Sequence, residues 1–178
     1  MVPTANDPRE VLEMALHNEL KAREILQNAR ETVDNPLARA TFDFLADEEL
    51  KHIDIISKFA ESLAGVGQFD EKDLLSTTTS EAKGRIKSIF ERFRVQFEEV
   101  GAGDQPRLET YRVAMDMERR GHDFYKRAAE ETADGEARKL YAFLAGEETR
   151  HFELIQDTHD YLQQPDALMA VEERWMQT

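Results

Sequence analysis

The chain has 178 residues, 40% of them apolar, carries a formal net charge of −14 and contains no cysteine. That length suits one domain with a sizeable core, while the acid excess opposes a nucleic-acid or anionic-membrane partner, whose affinity rests on clustered Lys and Arg. Without cysteine there are no disulfides, thiolate zinc sites, iron–sulfur clusters or rubredoxin-type iron centres within these residues.

The N-terminal MVPTANDPRE has no apolar signal core, and no stretch approaches the roughly 20 apolar residues of a spanning helix, so a soluble cytoplasmic protein is expected. Asp7-Pro8 reads as a helix start, an acidic cap followed by proline where its missing N–H costs nothing. This first helix runs to about Val33. Asp34-Asn35-Pro36 breaks it, and a second helical pattern continues to Leu63, where Gly65-Val66-Gly67 stops it. The Gly-x-Gly lacks the preceding strand that a phosphate loop requires, so the helix stop is the better reading.

Residues 68 to 80 are turn-like and rich in Ser and Thr. Ile86, Ile89, Phe90, Phe93, Phe97 and Val100 then recur at helical spacing and predict an amphipathic crossover helix over 81–100. After the Gly101–Pro106 linker a second hairpin occupies 107–163, its helices joined through Asp134-Gly135. Leu168, Val171 and Trp175 share one side of a short C-terminal helix over 166–176, expected to cap the bundle end. No alternating strand pattern occurs. Polar turns make each helix pair antiparallel, and the roughly forty residues between pairs must cross the bundle. The fold class expected is all-α, a four-helix bundle built from hairpins 8–63 and 107–163 in a single domain.

The two hairpins are one design written twice. Residues 38–52, ARATFDFLADEELKH, return at 137–151 as ARKLYAFLAGEETRH, identical at eight of fifteen positions. The same offset of 99 carries Ala15 onto Ala114, Glu19 onto Glu118 and Ala29 onto Ala128 without a gap, a period far too long for a solenoid.

On a 3,4 spacing the inward seam of the second helix reads Phe42, Leu45, Glu49, His52, Ile56, Phe59, Leu63, and that of the fourth reads Tyr141, Leu144, Glu148, His151, Ile155, Thr158, Leu162. Glu48 and Glu147 fall one residue off these seams, so the phase selects Glu49 and Glu148 as the inward acids. The first helix contributes Leu12, Ala15, Glu19, Ala22, Leu26, Ala29 and the third Tyr111, Ala114, Glu118, Gly121, Tyr125, Ala128. Small residues flank Glu19 and Glu118, leaving volume at that level for something other than side chains.

Four carboxylates and two imidazoles thus meet in one apolar layer. An unpaired buried carboxylate costs several kcal/mol even after relaxation, so protons or metals must neutralise them. Two divalent cations cancel four carboxylates, and Glu-x-x-His puts an oxygen and a nitrogen donor on one helix face. This mixed donor set without thiolate favours iron or manganese. A single Glu-x-x-His means little where one residue in five is acidic; two at the repeat offset, both on the seam and matched by two further seam glutamates, mean much more. His17, His122 and His159 lack these properties and read as exposed or peripheral.

At these residues the sequence resembles the ferritin-like superfamily and, within it, the rubrerythrins, across about residues 8–63 and 107–163. The resemblance implies two iron ions per chain, with manganese or zinc as possible substitutes. It implies Glu19, Glu49, His52, Glu118, Glu148 and His151 as ligands, Glu19 and Glu118 bridging, and Glu49 with His52 and Glu148 with His151 each terminating one ion. Tyr125 looks like the family's tyrosine beside the ligands; its plain reading is a core aromatic. Leu26 replaces its repeat mate.

Peroxide-reducing relatives typically carry another ligand glutamate where this chain has Gly121, and often a rubredoxin-like domain, which the lack of cysteine excludes here. The implied activity is reduction of peroxide or reaction with dioxygen in oxidative-stress defence or iron handling, with electrons from an external donor protein. The rival readings are a di-iron oxygenase with an organic substrate and a non-catalytic metal-binding bundle. A homodimer is expected, with exchange of hairpins between chains a physically cheap route to it.

Overall fold

A computed structural model describes residues 8–70, 72–74 and 108–163; the expected crossover helix and C-terminal cap lie outside the described residues. Four long helices carry the fold: α1 (Pro8–Thr32), α2 (Pro36–Leu63), α3 (Leu108–Glu131) and α4 (Gly135–Gln163). There is no strand among the described residues. The α1–α2 and α3–α4 hairpins pack face to face, α2 against α4 and α1 against α3, as a ferritin-like four-helix bundle.

The repeat is visible in the caps as well as the seams. Asn35 caps α2, its Oδ1 accepting from the backbone N–H of Leu37 at 2.9 Å and Ala38 at 3.3 Å, with Pro36 at the first helical position. Its repeat mate Asp134 does the same for α4, accepting from Glu136 at 2.8 Å and Ala137 at 2.9 Å. Each cap is braced by an arginine one turn on: Arg39 donates to the Val33 carbonyl, and Arg138 to the corresponding Thr132 carbonyl, so each closes the C-terminus of the preceding helix. At the far end of α2, Gly65 takes φ 74°, the left-handed stop that a glycine supplies without strain.

Inward seam residues are buried on every helix, apart from two. Gly121 is half-buried, and Leu63, expected on the α2 seam, is 39% exposed because it is the last helical residue, a turn beyond Phe59. The stretch after α2 is also more structured than its composition suggests: residues 72–74 form a helical turn that buries Leu74, and Phe69 meets Phe59 edge to face at 4.9 Å.

The polar layer divides the core. On one side Leu26, Phe42, Leu45, Tyr111 and Ile155 form an apolar cluster; on the other stand Leu12, Ile56, Phe59, Tyr125, Tyr141 and Leu144. Both clusters seal the charged groups between them from water.

Candidate metal centre

Glu19, Glu49, His52, Glu118, Glu148 and His151 all lie in that layer, each 3% exposed or less. α2 and α4 supply both imidazoles, whose rings stack at 5.1 Å and 14°, while α1 and α3 supply one carboxylate each. Donor atoms of Glu49, His52, Glu148 and His151 lie within 4.8 Å of one another. His52 Nδ1 is 3.1 Å from Glu49 Oε2, 3.2 Å from Glu19 Oε2 and 3.7 Å from Glu148 Oε1. His151 Nδ1 is 3.1 Å from Glu49 Oε1 and 3.7 Å from Glu118 Oε2. Glu49 therefore stands between the two imidazoles, one oxygen toward each, and is not paired with His52 alone.

The electrostatics follow from crowding in a dry layer. Burial and the charge of Glu49 push the Glu19 carboxyl up to about 7. Glu118 and Glu148 are driven well above the carboxylate range, by burial first and then by neighbouring carboxylates. Glu49 resists the same burial because Glu19 and both imidazoles hydrogen-bond it, which holds it well below the usual range. For His52, burial opposes the charged form, but Glu49 and Glu19 outweigh it and raise the imidazole to about 10. Protons thus offset part of the negative charge of four carboxylates, the task that two divalent cations would perform completely.

The residues fit such ions. Both oxygens of Glu118 and Nε2 of His151 are buried without a hydrogen-bond partner, an arrangement costly for an apolar core and natural for a set of donors. Tyr125 is buried with its hydroxyl donating to Glu19 across the bundle, so it touches a carboxylate of the cluster as well as filling core. The volume expected beside Gly121 is already used. A Cβ there would meet Glu148 Oε2 at 2.8 Å, so the missing side chain of α3 is the seat of the α4 carboxylate.

Glu48 and Glu147 are buried too, at 3% and 5%, although they are off the seam. Each is paired with the cation three residues on, Glu48 with Lys51 at 2.7 Å and Glu147 with Arg150. Acid-x-x-cation spacing in both copies was the available signal for these pairs. His17 is exposed; His122 Nδ1 sits 3.0 Å from the Ala145 carbonyl; His159 packs on Tyr111 at 5.3 Å. None of the three joins the cluster.

One cavity borders the cluster. A half-open cleft of about 250 Å³ lies between α1 and α3, lined among others by Ala22, Ile25, Met117 and Gly121, with Glu19 and Glu148 among its lining residues. No motif marks it, because its walls come from two helices far apart in the chain.

Comparison with known proteins agrees with this picture. A hypothetical protein from Pyrococcus furiosus is similar in structure, with a TM-score of 0.58, 19% identity, and coverage of 89% of this chain and 91% of its own. At that identity the likeness speaks for the fold alone. The comparison with curated proteins returned no match. Residues 10–158 match the family profile described as Rubrerythrin, a span holding all six clustered carboxylates and imidazoles, and the chain belongs to the rubrerythrin family.

Proposed function

We propose that this protein is a di-iron oxidoreductase that reacts with hydrogen peroxide or dioxygen, serving oxidative-stress defence or the handling of ferrous iron. The observation that supports it is the burial of four carboxylates and two stacked imidazoles in one layer of an otherwise apolar bundle, in a chain of the rubrerythrin family. Glu49 with His52 and Glu148 with His151 would hold one ion each, and Glu19 and Glu118 would supply the shared carboxylates. Iron bound there supplies one-electron redox chemistry at an oxidant; manganese and zinc would fit the same donors.

The protein's own part is geometry, charge and access. Tyr125 holds the Glu19 carboxylate in orientation through its hydroxyl. The protons kept by Glu118 and Glu148 balance charge in the layer and leave as metal enters, so loading releases protons. The apolar clusters above and below exclude water, which strengthens every electrostatic interaction between them. Reducing equivalents come from a separate donor protein, because the chain has no thiolate to hold a second redox centre. A cytoplasmic homodimer is the assembly we infer.

Anaerobic loading with ferrous iron, followed by stopped-flow mixing with peroxide or oxygen, tests this reading. Rapid oxidation by either, with turnover sustained by an added reductant, is the expected result. Inertness toward both would leave a non-catalytic bundle, and oxidation that depends on an organic co-substrate would leave an oxygenase.

A further inference from the structure

Gly121 stands well inside α3, where a glycine lowers helix stability relative to alanine and needs a reason. The backbone supplies none, because residue 121 is ordinary helix, whereas Gly65 takes the left-handed φ that favours glycine. Close packing of helix backbones supplies none either. The three nearest atoms that a Cβ at 121 would meet, beyond its own helix backbone, are Oε2, Cδ and Cγ of Glu148 at 2.8, 3.0 and 3.3 Å, and all three belong to a side chain. Gly146 makes the contrast. It too lies inside a helix, α4, yet a Cβ there would meet nothing nearer than the Arg150 guanidinium at 3.8 Å.

The first hairpin has Ala22 at the position equivalent to Gly121, and its carboxylate is held differently. Glu49 divides its oxygens between the two imidazoles, 3.1 Å from each, whereas Glu148 turns one oxygen toward His52 at 3.7 Å and lays the other against α3 at Gly121. Glu148 and Gly121 both border the cleft between α1 and α3. A carboxylate pushed off Gly121 therefore has room to turn out of the layer without forcing helices apart.

We propose that Gly121 is a positioning residue for the metal layer: the missing Cβ seats the Glu148 carboxylate with one oxygen toward the imidazoles, and so sets the affinity of the ion that Glu148 serves. Gly121 offers that ion no donor and acts through Glu148 alone. The obstructing atoms are the end of a flexible side chain, so Gly121→Ala displaces the carboxylate and spares the helix. Metal binding and folding should then respond in opposite directions. A glycine that serves only the packing of α3 against α4 would move folding and leave the coordination of a bound ion unchanged.

The inference rests on the proposed metal centre, so wild-type uptake of cobalt(II), whose visible bands report its coordination, is measured first under anaerobic conditions. Metal-free Gly121→Ala and Gly146→Ala should both melt at or above the wild type, as replacement of a helical glycine dictates. Cobalt titration separates them. Gly146→Ala should bind cobalt with wild-type stoichiometry, affinity and bands, while Gly121→Ala should bind one of its ions roughly tenfold more weakly, with altered bands. Glu148→Ala supplies the dependence test. With that carboxylate gone, adding Gly121→Ala should change neither the remaining cobalt affinity nor the bands, as a double-mutant cycle requires of a residue that acts through another. Wild-type cobalt binding and bands in Gly121→Ala, an effect that persists in full without Glu148, or a Gly121→Ala chain that does not fold would each overturn the proposal while leaving the metal centre standing. Wild-type protein that takes up no cobalt would overturn both.

Discussion

The two hairpins share a plan, yet the buried glutamate of the first is better served than that of the second. Glu19 accepts a hydrogen bond from Tyr125 of the opposite hairpin and lies 3.2 Å from His52 Nδ1. Glu118 has the repeat-related place, but the position that would supply its tyrosine is Leu26, and the nearest imidazole nitrogen, His151 Nδ1, stands 3.7 Å from its Oε2. The same helix, the same level and the same residue type therefore give a carboxyl raised to about 7 in one half and one driven well above its ordinary range in the other. The imidazole of His52 holds Glu19 down and no imidazole stands as close to Glu118, so the repeat-related acids are inequivalent. The repeat places the donors at equivalent positions, and the differences between Leu26 and Tyr125 and between Ala22 and Gly121 change what surrounds each.

The largest effect should come from removing the worse-served acid. Glu118→Leu deletes a buried carboxyl that burial and neighbouring carboxylates drive well above its ordinary range, so metal-free protein should gain about 1–4 kcal/mol, read as a rise of several degrees in melting temperature. Glu19→Leu should gain less or lose stability, because it strands the buried Tyr125 hydroxyl, which costs about 1–3 kcal/mol. Equal shifts in the two variants would break the comparison. In both, metal should no longer raise the melting point as it does in the wild type, where any ligand binding only the native state stabilises by mass action.

Proton linkage sharpens the same contrast. Glu19 holds its proton to about pH 7 when folded and to about 4.5 when unfolded, so its contribution is complete below 4.5 and is lost as pH rises through 7. His52 behaves alike between 6.5 and about 10. Metal-free protein should therefore lose stability from about pH 4.5 to 10, against the usual trend for carboxylates in salt bridges. Metal binding has the opposite sign, since protons compete for the same donors and affinity falls as pH falls. Urea denaturation of metal-free and metal-loaded protein across this range should give slopes of opposite sign; parallel slopes would contradict the account.

Tyr125→Phe should cost metal-free protein about 1 kcal/mol, the net value of a typical buried hydrogen bond, with more if Glu19 remains ionised. The smallest effect belongs to the off-seam acids. Glu48→Gln and Glu147→Gln remove ion pairs whose cationic partners are 35% and 43% exposed, so each should cost under about 1 kcal/mol and leave metal content intact.

Much of this was legible in the sequence, for a definite physical reason. A 3.6-residue period and an ungapped repeat place each residue on a face, and the face decides burial; Glu19, Glu49, Glu118 and Glu148 could be grouped with His52 and His151 on that ground alone. Periodicity says nothing about what lies across the bundle. Hence Tyr125 could be a core aromatic or a hydrogen-bond partner until α1 was placed opposite it, and the void beside Gly121 could not be recognised as the seat of Glu148. Glu48 and Glu147 failed for a related reason, since a residue beside the seam is buried once neighbouring helices close over it. The cleft was invisible because its walls join residues about a hundred positions apart.

The central claim is that six named side chains, and not the acidity of the chain at large, hold two metal ions. Elemental analysis after anaerobic ferrous reconstitution and desalting tests it most directly, comparing the wild type with His52→Ala/His151→Ala and with Glu48→Gln/Glu147→Gln. The account predicts two irons per chain in the wild type and in the off-seam variant, and none retained in the histidine variant. Equal iron in both variants, or a wild type that retains none, would contradict it.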